Sequence, residues 1–314
     1  MMRRRQRGVA LITIMLVVAV ATILGVEIAS EQHFAILRGA HSLEDEQARQ
    51  YALGGEELAR QVLHADFVKQ PGKDSNFEPW AAKDLHYEFE GGEVLIHIED
   101  LQGRLNVNRV AYGNEIAISR ARLQKLLADL GLDPTWLPKI VDWIDADEAR
   151  EPGGAEDFDY LGTTPPHRTA GTMLTDPSEL RMLLDMDNET WAKLRPYLTA
   201  LPDPATPVNI NTASAEVLAS LSTAITPQMA ETLMATRDSL EGYDSVNAFL
   251  QDPALAGTAV PNTGLGVQSG FFEVRIRARF NDRFAYLTSV IQRNLTDGRL
   301  RVISRDLGKR VAGV

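Results

Sequence analysis

The sequence of 314 residues contains no cysteine. This absence excludes a disulfide framework, a zinc site with thiolate ligands and a thiol nucleophile. It does not identify the compartment in which the protein works.

Signatures of common enzymes are absent as well. Gly264, Gly266 and Gly270 have the wrong spacing for a dinucleotide-binding loop, and they precede an alternating strand pattern instead of a helix. The six histidines show no metalloprotease spacing, and the chain has no nucleophile elbow or phosphate-binding loop. We therefore expect a protein that is not an enzyme.

Basic residues are fewer than acidic ones. The 32 lysines and arginines against 43 aspartates and glutamates give a net charge of −11, and four of the arginines lie within the first eight residues. The remainder of the chain is therefore more acidic still, which makes nucleic acid an unlikely main partner. With 44% hydrophobic residues, the chain is expected to form a packed core.

Charged residues are missing from residues 9–26, directly after the arginines. A helix over this run spans about 27 Å, close to the hydrocarbon thickness of a bilayer. Because basic flanks stay on the inner side of a membrane, we expect a cytoplasmic N-terminus and an exported remainder. An ordinary signal peptide that is cut after Ala21 has the same orientation and is the alternative.

The apolar run continues without a helix breaker. Residues 26–65 contain no proline, and apolar residues recur mostly three and four positions apart. We predict one helix over residues 9–65, with the part at 9–26 in the membrane and the rest entering a globular head. A short basic leader that ends in glycine and precedes such a helix resembles the type IV pilins and pseudopilins.

That resemblance implies a specific maturation. In that class a prepilin peptidase cuts after the glycine and methylates the new N-terminus, which places the cut between Gly8 and Val9. The fifth mature residue is then Thr13, where most of the class has a glutamate that pairs with a neighbouring subunit. A lone carboxylate in hydrocarbon is costly, whereas threonine can bond to its own helix. Because the usual docking group is missing, the chain suits the tip of a filament.

Two β segments flank a long helical region. Alternation on both sides of Gly91 predicts a hairpin, and alternation over residues 272–304 predicts a meander of about three strands. The fold class is therefore α+β, with a long N-terminal transmembrane and stalk helix, a small antiparallel sheet and a large inserted all-α domain. The predicted segments are a leader at 1–8, the helix at 9–65, β parts at 66–108 and 269–314, and the insert at 109–268.

The insert contains a weak internal repeat. "LNVN" at residues 105–108 matches "VNIN" at 208–211, and each precedes a helical pair. Residues 208–238 resemble a helix-hairpin-helix unit, in which a glycine-bearing hairpin presents backbone amides to phosphate. This resemblance makes a membrane-anchored periplasmic DNA-binding protein the alternative function. The hairpin at 221–226 has no glycine, however, which argues against phosphate binding and favours a packing role.

The densest acidic cluster lies within residues 142–160. Bundled carboxylates repel each other unless a cation neutralises them, and a hard divalent ion prefers such oxygen ligands. The EF-hand pattern fails, because Ala149 and Arg150 replace a ligand and the required glycine. The sequence leaves two interpretations open, a solvated acidic loop and a cation site.

Taken together, the sequence resembles the minor pseudopilin K family of type II secretion systems (the general secretion pathway protein K family). The features that carry this resemblance are the leader, Thr13, the helical insert, the acidic cluster and "VNINTAS". The resemblance implies a tip subunit of the pseudopilus that initiates or caps assembly and takes part in export of folded proteins across the outer membrane. It implies minor pseudopilins I, J and H, the prepilin peptidase and the inner-membrane assembly platform as partners. It places the chain once across the bacterial inner membrane, with a periplasmic head. It also implies calcium, with candidate ligands at Asp142, Asp145, Asp147, Glu156 and Asp157.

Overall fold

The computed structural model describes residues 9–308. Helix α1, Val9–Lys69, is continuous over 61 residues and ends beyond the predicted boundary at residue 65. The helix stops here because Pro71 disfavours helical backbone in the residue before it, and Gly72 follows with a φ of 102°. Gly8 and the rest of the predicted leader lie outside the described residues.

The predicted hairpin and meander are confirmed and form one antiparallel sheet. Its five strands are, in spatial order, β1 Leu85–Phe89, β2 Gly92–Asp100, β7 Phe271–Phe280, β8 Arg283–Arg293 and β9 Leu300–Leu307. The first hairpin therefore pairs with the meander through β2 and β7. Gly91 allows the tight first turn with a φ of 85°.

The second half of α1 packs along this sheet. Small residues on one face of the helix, Ala52, Gly55 and Ala59, are buried against Val94 and Ile276 of the central strands. Small side chains let the helix backbone approach the sheet closely, so the aliphatic strand residues can fill the space between them. The first half of α1 touches no other part of the described chain and is exposed.

The insert leaves the sheet after β2 and returns before β7. Its core is separate from that of the sheet and is built mainly from helices. Two parallel pairs of two-residue strands join its parts, and the sequence did not predict them. Its elements are β3 Leu105–Asn106, α2 Ile116–Asp129, α3 Trp136–Ile144, α4 Asp157–Tyr160, α5 Asn188–Leu194, β4 Leu198–Thr199, β5 Val208–Asn209, α6 Ala215–Ser220, α7 Pro227–Ser239, α8 Val246–Leu250 and β6 Leu265–Gly266.

A buried polar network fixes the two crossings between sheet and insert. The Asp100 carboxylate at the end of β2 accepts hydrogen bonds from Ser269 Oγ at 2.6 Å, Thr212 Oγ1 at 2.5 Å and Asn209 Nδ2 at 3.0 Å. Burial raises the pKa of Asp100 to about 6 in spite of these bonds. The network ties both ends of the insert to one point, which holds the insert in a fixed position on the sheet.

Candidate functional site

The N-terminal half of α1 is long and apolar enough to cross a membrane. Thr13 lies on this segment, and its hydroxyl donates a hydrogen bond to the Val9 carbonyl at 2.6 Å. Thr22 makes the same bond to Val18 at 2.8 Å. Both hydroxyls therefore have a hydrogen-bond partner within the helix itself.

The insert lies at the C-terminal end of α1, opposite the apolar segment. On the near side, the β7–β8 turn reaches Glu44 of α1, to which Asn281 Nδ2 donates a hydrogen bond at 3.0 Å. On the far side, the Asp74 amide donates to the Val267 carbonyl at 2.8 Å, and Lys73 pairs with Asp244 at 2.9 Å. The sheet thus runs beside α1, and the insert extends beyond its C-terminal end.

The internal repeat in the insert has a structural role. Asn108 accepts a hydrogen bond from the Leu174 amide at 2.8 Å and donates to the Leu174 carbonyl at 3.0 Å. Asn211 makes the equivalent pair with Tyr243, at 2.7 and 2.9 Å. Each buried asparagine therefore clamps a later segment by its backbone, as a paired strand would, and the repeated sequence marks two copies of one packing unit.

Two backbone amides of the hairpin between α6 and α7 donate hydrogen bonds within the hairpin itself. The Ala224 amide donates to Ser222 Oγ at 3.3 Å, and the Ile225 amide donates to the Ser222 carbonyl at 3.1 Å. The Ser222 hydroxyl is itself bonded to the Ala259 carbonyl. Because these groups are used inside the fold, the geometry favours a packing role for this unit over DNA binding.

The acidic loop follows α3 and brings four of the five predicted ligands into electrostatic contact. Asp142 is fully buried, and its two oxygens accept from the Glu151 amide at 3.2 and 3.3 Å. Burial, with repulsion from Asp145 and Glu151, raises the pKa of Asp142 to about 6. Burial, with repulsion from Asp142, Asp145 and Asp147, raises the pKa of Glu156 to about 7. The loop thus holds more negative charge than its surroundings compensate.

Two oxygen atoms in this loop are buried without a hydrogen-bond partner, Asp145 Oδ1 and Glu156 Oε1. The other predicted ligand, Asp157, points elsewhere and accepts from Thr169 and Arg168 at 2.9 to 3.0 Å. The Thr169 amide bond is the main cause that lowers the pKa of Asp157. Asp157 therefore anchors the loop instead of joining the cluster.

Sequence reasoning overlooked Gly154 in this loop. A methyl group at this position would lie 1.9 Å from Asp142 Oδ2, so only glycine lets the loop close over the buried carboxylate. The "PGG" run was a signal for such a close approach. Within residues 9–308, the acidic loop is not among the groups in which three ligand atoms lie within 4.8 Å of one another.

Comparison with known proteins decides the family. The family model for protein K of the type II secretion system matches residues 103–203 and 208–268. Type II secretion system protein K of Pseudomonas aeruginosa is 37% identical over 321 aligned residues, which cover 98% of this chain and 95% of that protein. The chain belongs to the type II secretion system protein K family. Protein K of Pectobacterium carotovorum is 32% identical and is covered over 98% of its length.

A solved structure resembles this protein K family member over most of its length. The crystal structure of the GspK-GspI-GspJ complex from the enterotoxigenic Escherichia coli type 2 secretion system contains a chain with 25% identity and a TM-score of 0.77. The similarity covers 87% of this chain and 99% of that chain. The predicted family and fold class are thus confirmed, and family membership with one apolar helix fits a single-pass inner-membrane protein.

Proposed function

We propose that this minor pseudopilin lies at the tip of the pseudopilus, where it initiates and caps assembly, and that it takes part in export of folded proteins across the outer membrane. This role is mechanical and involves no catalysis. The observation that carries the proposal is the position of the insert beyond the membrane-distal end of α1.

The geometry supports a cap for a steric reason. Helix α1 is about 90 Å long, and subunits of a pseudopilus bundle such helices side by side. A subunit that packs farther from the membrane would have to occupy the space that the insert fills. Subunits can therefore join only on the membrane side, which is the property of a tip subunit.

The partners follow from the exposed part of α1 and from the solved relative. The solved relative is the GspK-GspI-GspJ complex of enterotoxigenic Escherichia coli, and the similarity of this chain to it supports the corresponding pseudopilins I and J as partners here. Between membrane and sheet, α1 exposes the apolar side chains of Ile28, Phe34 and Ile36, which suit helix-to-helix packing. Pseudopilin H then links this complex to the shaft, and the assembly platform holds it in the inner membrane.

The topology has a direct test at the N-terminus. With a cytoplasmic N-terminus and a periplasmic head, the prepilin peptidase removes residues 1–8 and methylates Val9. Intact mass measurement of the mature chain should therefore give a methylated protein that begins at Val9. A chain that begins at Thr22 would refute this processing and indicate an ordinary signal peptide.

The tip role can be tested by restoring the missing docking group. Thr13→Glu combined with deletion of the insert should let the chain enter the shaft, which changes pseudopilus length and lowers secretion. The control is Thr22→Glu in the same deletion background, because Thr22 makes the same hydrogen bond but does not lie at the docking position. Unchanged pseudopilus length and secretion in the Thr13→Glu deletion chain would rule out the cap.

The acidic loop fits calcium in this proposal. Asp142, Asp145, Asp147 and Glu156 supply only oxygen ligands, and two of their buried oxygens have no other partner. The bound cation would remove the mutual repulsion of the carboxylates and hold α3 to α4.

Calcium binding at the loop is tested by thermal melting of the full chain in detergent, with calcium and with chelator. A ligand that binds only the folded state raises its melting temperature. We expect Glu156→Gln to reduce the calcium-dependent rise, while Glu148→Gln, an exposed residue of the same run, leaves it unchanged. An equal rise in Glu156→Gln and the wild type would exclude the loop as the site.

A further inference from the structure

A second group of acidic side chains lies where α1, the insert and the sheet meet. Asp66 is on the last turn of α1, Asp74 and Glu78 are on the segment that follows it, and Arg293 ends β8. The three carboxylates place ligand oxygens within 4.8 Å of one another. These residues, which we call the junction cluster, lie outside the stretches matched by the family model, 103–203 and 208–268, and outside the acidic loop.

The junction cluster is almost completely shielded from water. The exposed fractions are 6% for Asp66, 1% for Asp74, 9% for Glu78 and 3% for Arg293. Arg293 donates hydrogen bonds to both Asp74 oxygens and to the Ser269 carbonyl. Its guanidinium binds Asp74, so its one positive charge compensates the Asp74 carboxylate and leaves the charges of Asp66 and Glu78 uncompensated.

Arg293 is also fixed in place by aromatic rings. Its guanidinium lies 5.3 Å from the ring centre of Phe67 and 4.8 Å from that of Phe272. Two of its nitrogens, Nε and Nη1, are buried without a hydrogen bond, and Nη1 lies 4.0 Å from Asp66 Oδ2. The guanidinium therefore attracts Asp66 without forming a hydrogen bond to it.

The carboxyl groups of Asp66 and Glu78 lie next to each other. Asp66 Oδ2 and Glu78 Oε1 are buried and accept no hydrogen bond. The other Glu78 oxygen accepts from Trp80 Nε1 at 2.6 Å. Lys69 on α1 attracts Asp66, but the buried Asp100 repels Asp74.

The surplus of negative charge has a measurable consequence for both groups. Burial, with repulsion from Asp74, raises the pKa of Asp66 to about 6. Burial, with repulsion from Asp66 and Asp74, raises the pKa of Glu78 to about 7 in spite of the Trp80 bond. Ionised carboxylates in such a place are costly unless a positive charge joins them.

We infer that Asp66, Asp74 and Glu78 bind one hard divalent cation, with Asp66 Oδ2 and Glu78 Oε1 as its main ligands. Three carboxylates, the Arg293 guanidinium and one divalent ion sum to zero charge. The donors are all oxygen, with no imidazole among them, which favours calcium or magnesium over zinc. The ion would join the end of α1 to the loop that carries the insert contacts.

The alternative that the geometry allows is a shared proton. The Asp66 and Glu78 carboxyl groups approach closely enough for one protonated oxygen to donate to the other. This arrangement neutralises one charge instead of two, and it needs no ion. Cation titration separates the two cases, because only the first binds calcium.

The test is isothermal titration of the metal-free full chain in detergent with calcium chloride at pH 7.5. The background carries Asp145→Asn and Glu156→Gln, so that the acidic loop does not contribute. We expect one calcium per chain in this background and none after addition of Asp66→Asn and Glu78→Gln. The control is Glu88→Gln, which neutralises an exposed carboxylate of the surface group His86, Glu88 and Glu93.

A second variant keeps the test informative if the double variant does not fold. Glu78→Gln alone keeps two carboxylates and should weaken calcium binding by about tenfold or more, because affinity follows the charge count of the ligands. In excess chelator, this variant should melt no lower than the background chain, since it removes an uncompensated buried charge.

The inference is overturned if the background chain binds no calcium, or if the double variant binds as much as the background. Absence of calcium binding together with a proton taken up near neutral pH would identify the shared proton instead. The outcome is independent of the acidic loop, because the loop variants are present throughout. A calcium that disappears with the loop variants would support the loop site alone and would also overturn the junction site.

Discussion

Replacement of Gly55 by alanine tests the packing of α1 on the sheet, which holds the head on the stalk. A methyl group at Gly55 would lie 2.8 Å from Val94 Cγ1 and 3.0 Å from Ile276 Cγ2. Both contacts are shorter than van der Waals distance, so the helix or the strands must move. At the neighbouring Gly54 a methyl group would meet no other element within 4 Å. The two glycines therefore form a matched pair on one helix.

The two substitutions should change the free energy of unfolding in opposite directions. Gly54→Ala should stabilise the helix by about 0.5–1 kcal/mol, because alanine loses less backbone entropy than glycine. Gly55→Ala gains the same helix stabilisation, but overpacking of a filled core costs about 1–3 kcal/mol. The Gly55→Ala chain should therefore be about 1–3 kcal/mol less stable than the Gly54→Ala chain.

Hydrogen exchange of the full chain in detergent measures this difference locally. Val94 lies on β2 and Ile276 on β7, so peptides from residues 92–100 and 271–280 report the affected core. Their amides should exchange about 5 to 140 times faster in Gly55→Ala than in Gly54→Ala. Equal protection in the two variants would show that α1 does not approach the sheet closely at Gly55.

Two further predictions concern the insert. Asn211→Ala leaves two buried backbone groups of Tyr243 without a partner, and each should lower the free energy of unfolding by about 1–3 kcal/mol. Urea unfolding followed by tryptophan fluorescence should therefore give a lower midpoint than for the exposed control Asn247→Ala. Equal midpoints would contradict the clamp. Because the pKa of Glu156 is raised to about 7 from its ordinary value of 4.5, the folded state loses stability as pH rises between these values. The melting temperature in chelator should therefore be higher at pH 5 than at pH 7.5, and Glu156→Gln should flatten part of this dependence; a flat wild-type profile would contradict it.

Much of the architecture could be predicted because it depends on local patterns. Alternation at Val94, Ile96 and Ile98 reflects one buried face of β2, and the buried set has that same period. Helix α1 is uninterrupted for the same kind of reason, since nothing before Pro71 prevents helical backbone. The two-residue strands β3 to β6 were not predicted, because two residues cannot display a period.

Of the two candidate sites, the acidic loop could be predicted from the sequence and the junction cluster could not. The acidic loop was visible because its carboxylates are close in sequence, although the sequence could not show that Asp157 pairs with Arg168 and Thr169. The junction cluster contains Asp66 and Arg293, which come together only because α1 packs against β8, far away in the sequence. Such a contact depends on tertiary packing, and no local pattern carries it.

The central claim is that this chain occupies the end of the pseudopilus. The absence of cysteine permits a unique label, since Glu231→Cys on the exposed face of α7 would introduce the chain's single thiol. Gold particles coupled to that thiol can be located by electron microscopy on isolated pseudopili. A tip subunit should give one particle at one end of each filament. Particles distributed along the shaft would contradict it.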